Sequence, residues 1–253
     1  FAIAQINLTD MPVSAFITIA MVAFLMARLS DRRWLLLFYA AMALAVLTKG
    51  LIGVVLPGAV IFWYMIATRR WSIIKDTLYL PGIALFFAIT VPWFWAVCRA
   101  NPDFFHFFFI HEHFIRYATK VHGRYEPAWF FIPILLVGTI PWTGFIPQAL
   151  AQAFKGRDNG EESSWAGVYL VLWFAVIFAF FSLSSSKLIP YIVPVLPPLA
   201  ILVGRTVVGI WDGGDRRSIL VGLSLSSILT VLFGAAFVVY PYVQDRLPSE
   251  LLI

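Results

Sequence analysis

Residues that could bind metal ions and phosphate occur together in the stretch RANPDFFHFFFIHEHFIRYATKVHGRYEPAW, residues 99–129. It contains all four histidines of the chain: His106, His111, His113 and His122. Neutral imidazole and carboxylate oxygen are the usual zinc ligands other than sulfur, so His111 or His113 with Glu112 could bind a divalent ion, zinc or magnesium. Because two histidines in an HxH pattern lack further spaced ligands, the metal site is a weak prediction.

Three basic residues of the same stretch, Arg116, Lys120 and Arg124, favour a phosphate ligand. Arginine binds phosphate oxygens through two parallel N–H groups, whereas lysine acts as a compact positive charge. Phosphate binding is therefore the stronger prediction for this stretch. The structural alternative is an interfacial anchor, in which the phenylalanines form an aromatic belt and the histidines are simply solvated.

Further residues in other segments could contribute to the same site. In LTDMP, Thr9 or Asp10 is predicted to cap the first helix, and Asp10 could, also or instead, act as an acid that orients an acceptor or assists its deprotonation. Lys49 and Lys187 adjoin apolar runs, where a lysine either snorkels to the interface or meets an anion. Tyr191 lies one turn after Lys187 and could donate its hydroxyl to that anion, although an interfacial tyrosine needs no such role.

The composition shows what kind of scaffold positions these residues. Of the 253 residues 61% are hydrophobic and 12% are charged, whereas soluble domains carry about 25% charged residues. The surplus of apolar side chains predicts an all-α, polytopic transmembrane bundle in contact with lipid. The isoelectric point near 9.5 is explained by basic cytoplasmic loops, so we do not expect a nucleic-acid partner. The single cysteine, Cys98, excludes an intramolecular disulfide and a cysteine-based zinc site.

Eight apolar segments are candidates to cross the bilayer. They are residues 12–29, 34–48, 51–67, 78–98, 129–150, 165–181, 188–210 and 218–240. The second and third are short and flank Lys49, which predicts a tight hairpin whose tip barely leaves the hydrocarbon. Prolines inside spans, such as Pro57, Pro92 and Pro141, predict kinked helices. Nothing divides residues 1–253, which we interpret as a single transmembrane domain.

Basic residues in alternate short loops predict the orientation of the bundle. The loops assigned to the cytoplasm hold eleven of them: Arg28, Arg32, Arg33, Arg69, Arg70, Lys75, Lys155, Arg157, Arg205, Arg216 and Arg217. The outer loops hold the other seven, so the difference is modest. The outer face then carries Asp10, Lys49, Lys187 and the loop 99–128, in which an amphipathic helix from Asp103 to about Lys120 lies in the interface.

Several motifs resemble those of a known family. They are TDMP near the start, LTKG in the hairpin, FFIHEHFIRYATKVHGRYEPAWFFIPILLVGTIPWT in the middle and FFSLSSSKLIPYIVPVLPPLA near the end. With these motifs the chain resembles the bacterial 4-amino-4-deoxy-L-arabinose transferases of the protein O-mannosyltransferase-like superfamily.

The resemblance implies a C-type glycosyltransferase fold and an inverting transfer of a sugar from polyprenyl (undecaprenyl) phosphate. The sugar would be aminoarabinose-like or a hexose, and the acceptor lipid A, another glycolipid or a protein. The reaction would take place at the periplasmic face of the bacterial inner membrane.

The resemblance also implies roles for single residues. His111 matches a metal-coordinating histidine, Arg116 an arginine that faces the donor phosphate, and Tyr191 a tyrosine near that phosphate. Asp10 matches an acidic residue in the second outer acidic motif of the family. The catalytic candidates are Asp10 and Arg116, the phosphate-binding candidates are Lys49, Arg116, Lys187, Tyr191 and Arg124, and the metal candidates are His111, Glu112 and His113.

The favoured catalytic base of the family lies after its first transmembrane helix, and this chain begins beyond that point, at Phe1. We therefore expect a fragment of a longer protein that is inactive alone. Two other classes of function stay open. A transporter or flippase of a lipid-linked sugar should place ionisable groups along a midplane path. A non-catalytic lipid-binding subunit would need no Asp10.

Overall fold

The computed structural model describes residues 9–101, 103–104, 126–154, 162–184, 186–213 and 216–244. The elements in these ranges are helices, which confirms the all-α prediction. The α-helices are α1 (Asp10–Leu29), α2 (Trp34–Lys49), α3 (Ile52–Thr68), α4 (Ser72–Thr77), α5 (Leu80–Ala100), α6 (Phe131–Gly138), α7 (Ile146–Gln152), α8 (Glu162–Leu183), α9 (Leu196–Asp212) and α10 (Arg216–Gln244). Two 3-10 helices, Thr143–Phe145 and Ile189–Val195, precede α7 and α9.

Most of the predicted spans are present as apolar helices. In the described part of the chain, five stretches are long and apolar enough to cross a bilayer: α1, α5, most of α8, the 3-10 helix 189–195 with α9, and the first part of α10. Helices α2 and α3 have only 16 and 17 residues, as predicted for the short hairpin. These helices confirm a polytopic membrane fold.

The single span predicted at 129–150 is instead a broken element. The axis of this element bends by 110° between helix α6 and the segment 143–152. Pro141 lies in the break, where it has no N–H to donate and its ring prevents the helix from continuing. Thr139 and Thr143 donate their hydroxyls to two carbonyl oxygens of α6, at 2.7 and 2.8 Å. The Leu135 carbonyl also accepts the backbone N–H of Thr139, so the Thr143 hydroxyl, which pairs with the Leu136 carbonyl, is the one that replaces a helical donor at the break.

The core of the bundle lies where α1 packs against α2, α3 and α8. Ile17, Met21 and Phe24 recur along one face of α1 and are buried. Tyr169 of α8 is fully buried, and its hydroxyl donates to the Met21 carbonyl at 2.8 Å. Its ring lies 5.6 Å from that of Phe24 and 5.3 Å from that of Tyr64 in α3. This aromatic cluster fixes the three helices whose ends carry or border the candidate site.

Charged contacts join the end of α1 and the loop that follows it, residues 30–33, to α4 at one end of the bundle. Arg28 Nη1 lies 2.7 Å from Asp76 Oδ2, and the Arg32 guanidinium donates to the carbonyls of Lys75 and Asp76 at 3.2 and 3.1 Å. The same guanidinium lies 5.3 Å from the centre of the Tyr79 ring. Two of the basic loops assigned to the cytoplasm therefore lie at the same end. Helix α4 itself was not predicted, because one and a half turns are too short to show a periodic pattern.

We expect the Asp76→Asn substitution to lower the free energy of unfolding by no more than about 1 kcal/mol, because exposed ion pairs contribute little. The side chain of Asp76 is 52% exposed. Thermal unfolding of the purified protein in detergent, at low and at high salt, would measure the effect. A loss of several kcal/mol would contradict this expectation.

At the opposite end of the bundle, α2 and α3 form the predicted hairpin. Gly50 follows Lys49 and has a φ of 81°, in the region that favours glycine. Gly53 lies so close to α2 that a Cβ on it would be 2.7 Å from both Ala45 Cβ and the backbone N of Val46. The hairpin thus depends on two glycines, and together they hold Lys49 at its tip.

Candidate functional site

Three segments meet around one cavity at the hairpin end of the bundle. Asp10 begins α1, Lys49 ends α2, and Tyr191 lies in the 3-10 helix that precedes α9. The cavity is open to its surroundings and has about 240 Å³ of space when its open mouth is included. Ser14 and apolar side chains of α1, α3, α8 and the 3-10 helix complete its lining. The structure therefore brings together three of the residues that the sequence predicts for the site.

Asp10 and Lys49 form an ion pair in the lining of this cavity. Lys49 Nζ contacts Asp10 Oδ1 directly. The side chain of Asp10 is 8% exposed and that of Lys49 is 27% exposed. A carboxylate withdrawn from water needs a partner, and the ammonium supplies it. Of the two alternatives for Lys49, contact with an anion is therefore the one that the structure shows.

The predicted N-terminal cap of α1 is confirmed in position only. Thr9 is the N-cap residue but makes no side-chain capping hydrogen bond, and Asp10, the other candidate, lies in the first turn of the helix and does not cap it. The reason is tertiary, since the Lys49 ammonium offers the carboxylate a charge-assisted bond that is stronger than one from a neutral backbone N–H. The carboxylate still lies near the positive end of the α1 dipole.

Tyr191 packs its ring against the same ammonium group. Lys49 Nζ lies 4.4 Å from the centre of the Tyr191 ring, within the range of a cation–π interaction. The Phe181 ring of α8 packs against Tyr191 with 5.5 Å between ring centres. The Lys49 ammonium thus contacts a carboxylate and an aromatic ring, and it borders a partly apolar cavity that could admit an anion.

Lys187 lies close to Tyr191 in sequence, but it is not part of the cavity lining. Its ammonium donates to the carbonyls of Ser184 and Glu126 at 2.7 and 2.8 Å, and the residue is 5% exposed. Burial lowers the pKa of Lys187 below its ordinary value, while the nearby Glu126 carboxylate acts in the opposite direction. Contact of Lys187 with a phosphate stays a prediction.

The remaining predicted site residues lie outside the described residues. They are His111, Glu112, His113, Arg116 and Arg124, together with most of the predicted interfacial helix in the loop 99–128. Within the described ranges, no group of three or more histidine, cysteine, aspartate or glutamate side chains could hold a metal ion. Since the four histidines fall outside those ranges, the metal site also stays a prediction.

Eight residues of the cavity lining were not predicted from the sequence, and Ser14 is the polar one among them. Ser14 lies one turn after Asp10 on α1, and its hydroxyl donates to the Asp10 carbonyl at 2.6 Å. The spacing of four residues places both on one face of the helix, so this neighbour could have been found. Phe181 and Pro190 also line the cavity, but an apolar residue in a membrane span carries no pattern that separates it from lipid-facing neighbours.

The chain is similar to a family model and to several known proteins. A family model described as dolichyl-phosphate-mannose-protein mannosyltransferase matches residues 1–95. The undecaprenyl phosphate-α-4-amino-4-deoxy-L-arabinose arabinosyl transferase 1 of Proteus mirabilis is 35% identical to this chain, over 94% of the chain and 45% of that protein. The corresponding transferase of Pseudomonas aeruginosa strain UCBPP-PA14 is 40% identical, over 69% of the chain and 31% of that protein.

A solved structure has the same fold. The crystal structure of ArnT from Cupriavidus metallidurans bound to undecaprenyl phosphate superposes with a TM-score of 0.80 at 34% identity. The match covers 93% of this chain and 42% of that one. The chain therefore spans less than half the length of the relatives it matches, while nearly all of it is matched.

Proposed function

Because the chain belongs, over the length that it spans, to the family of the undecaprenyl phosphate-α-4-amino-4-deoxy-L-arabinose arabinosyl transferases, we propose that the protein is a membrane glycosyltransferase that uses a polyprenyl-phosphate sugar. The observation that carries the proposal is the cavity in which Asp10, Lys49 and Tyr191 meet. A cation and a phenol beside an apolar lining suit a phosphate attached to a lipid chain. The same class of ligand is bound in the Cupriavidus relative.

The proposed reaction needs fixed positive charge more than it needs a strong acid. An oxygen of the acceptor attacks the anomeric carbon, and the bond from that carbon to the phosphate oxygen breaks. The electron pair of the broken bond stays on the polyprenyl phosphate, so a phosphodiester becomes a monoester with one more negative charge. Lys49 would stabilise this charge, and Arg116 would add a bidentate contact.

Two cavity residues would position the reacting groups. The Tyr191 hydroxyl would orient the phosphate by a hydrogen bond. Asp10 would hold the Lys49 ammonium at the cavity and, once the phosphate draws the ammonium away, assist removal of the acceptor proton. Attack on the face opposite the leaving group makes the transfer inverting.

Residues outside the described ranges would complete this site. We propose Arg124 as a further phosphate contact beside Arg116, and His111, Glu112 and His113 as candidate ligands of a divalent ion. Such an ion, when bound, supplies Lewis-acid stabilisation of the leaving phosphate.

We propose an aminoarabinose-like sugar and lipid A as acceptor, with a hexose, another glycolipid or a protein hydroxyl as alternatives. The names of the relatives support aminoarabinose. The cavity lies at the end of the bundle opposite the Arg28–Asp76 contact, which supports transfer at the outer, periplasmic face of the inner membrane.

A transfer assay tests the proposal against the other two classes of function. Membranes that contain the complete polypeptide would receive radiolabelled undecaprenyl-phosphate aminoarabinose and lipid A, and parallel reactions would receive a hexose donor. Labelled lipid A is the expected product. Movement of label across the membrane without product would indicate a transporter, and retention of label alone would indicate a lipid-binding subunit.

We expect Arg116→Ala to lower the turnover number by about a hundredfold or more, the effect of removing one preorganised contact to a developing charge. Arg33, whose side chain is 85% exposed at the other end of the bundle, provides the control, and Arg33→Ala should leave turnover unchanged. Both variants should reach wild-type levels in the membrane. Unchanged turnover in Arg116→Ala would rule out the assigned role.

A further inference from the structure

We propose that Lys187 is a positioning residue of the transfer site, which fixes the segment that carries Tyr191 instead of contacting the phosphate itself. This inference rests on the proposed function and deepens it. Its basis is the set of partners that the structure gives to the Lys187 ammonium.

One buried ammonium group joins three segments of the chain. Lys187 Nζ donates to the carbonyl of Ser184, the residue directly after α8, at 2.7 Å. It also donates to the carbonyl of Glu126, which lies ahead of α6, at 2.8 Å. Lys187 itself lies two residues before the 3-10 helix Ile189–Val195. Removal of the ammonium would therefore release the end of α8, the approach to α6 and the start of the 3-10 helix from one another.

The partners of Lys187 explain why a cation occupies this buried position. The last carbonyls of a helix have no partner within the helix and carry partial negative charge, which favours a cation there. Backbone carbonyls withdrawn from water need donors. A lysine at 5% exposure equally needs acceptors, because an uncompensated buried charge is costly. The two carbonyls engage two of the three N–H groups of the ammonium, and Lys187 is not part of the lining of the cavity around Asp10, Lys49 and Tyr191.

The anchored segments hold Tyr191 from two sides. Its backbone N–H donates to the Leu188 carbonyl at 3.0 Å, which ties it to the residue directly after Lys187. Its ring packs on Phe181, three residues before Ser184 on α8. Since Lys187 links the end of α8 to the start of the 3-10 helix, it determines where Tyr191 lies relative to the Lys49 ammonium, 4.4 Å away.

A labelling experiment on the complete polypeptide tests the anchor without any ligand. Glu126→Cys keeps the backbone carbonyl that Lys187 binds, and Cys98→Ala removes the native thiol of this chain. In that background we expect Lys187→Met to raise the rate of maleimide labelling at position 126 several-fold. Lys187→Arg, which keeps N–H donors, should restore a slow rate, and Arg33→Ala, at the exposed opposite end of the bundle, should have no effect. An unchanged rate in Lys187→Met would overturn the proposal.

A binding and turnover experiment separates positioning from direct contact. With undecaprenyl phosphate as probe, Lys187→Met should change the dissociation constant less than threefold and lower the turnover number at least tenfold. In a Tyr191→Leu background, Lys187→Met should lower turnover by less than threefold further, because its effect passes through Tyr191. A loss of affinity equal to that of Lys49→Met, in both backgrounds, would show a direct phosphate ligand and overturn the proposal.

Failure of the proposed function would be visible separately. If the wild-type protein transfers no sugar, the transferase proposal fails, whereas labelling at position 126 and binding of undecaprenyl phosphate still decide the role of Lys187.

Discussion

Lys49→Met is expected to abolish sugar transfer and to weaken the binding of undecaprenyl phosphate by more than tenfold. Methionine keeps most of the length of the side chain but removes the ammonium that borders the cavity. With that charge lost, the leaving phosphate loses the one cation that the described lining of the cavity supplies. Binding of radiolabelled undecaprenyl phosphate and turnover, both on the complete polypeptide, would measure the two effects.

The same substitution should also destabilise the bundle, because it leaves the Asp10 carboxylate unpaired at 8% exposure. Removal of one partner from a buried ion pair lowers the free energy of unfolding by about 3 kcal/mol. The double variant Asp10→Asn with Lys49→Met removes both charges and should recover most of the stability, but it should still fail to bind the phosphate.

Binding of undecaprenyl phosphate and the temperature of unfolding, measured on these variants, separate loss of function from loss of folding. If the double variant binds undecaprenyl phosphate as well as the wild type does, Lys49 is not a phosphate contact. If Lys49→Met unfolds at the wild-type temperature, the ion pair does not hold this end of the bundle together.

Gly53→Ala is expected to destabilise the protein by about 3 kcal/mol, at the upper end of the cost of overpacking. The added methyl group would meet Ala45 Cβ and the backbone N of Val46 at 2.7 Å. A backbone atom cannot rotate away, so α2 and α3 must separate and the tip of their hairpin must move. Because Lys49 ends α2, transfer should fall with stability.

Gly58, in the same helix, provides a matched control. A Cβ on Gly58 would meet nothing within 4 Å, so Gly58→Ala should be neutral or stabilise α3 by up to about 1 kcal/mol through its helix propensity. Thermal unfolding in detergent and transfer activity would be compared for the two variants. Equal behaviour of the two would show that the close approach of α2 and α3 is unimportant.

Local patterns in the sequence predict most of the helices well. The spans predicted at 34–48, 51–67 and 78–98 correspond to Trp34–Lys49, Ile52–Thr68 and Leu80–Ala100. A membrane helix must satisfy its own backbone hydrogen bonds and face lipid, so its position follows from a run of apolar residues alone. The prediction of a single span at 129–150 was wrong. The hydropathy of the segment indicates that it is long enough to cross the bilayer, but it does not indicate the bend of 110° at Pro141.

The candidate site is predicted less completely than the fold. Residue type, the predicted orientation of the loops and the family resemblance together pointed to Asp10, Lys49 and Tyr191 as members of one polar cluster, and the structure brings them together around one cavity. For Lys187 a phosphate contact stays a prediction, and the structure adds two partners that the sequence did not indicate, the backbone carbonyls to which its ammonium donates. A charged residue near a membrane interface needs a partner, but its type does not say which one.

The polytopic helical bundle, the family resemblance and the end of the bundle that holds Asp10 and Lys49 all follow from the amino-acid sequence. The packing of the helices was needed to show that Asp10 pairs with Lys49, 39 positions away, that the ring of Tyr191 covers the same ammonium, and that Lys187 binds the backbone. The two kinds of property differ in how far apart along the chain the residues lie that determine them. Apolar length and alternation of charged loops are local properties, whereas the partner of a buried charge is whichever group the packing of distant helices brings within reach.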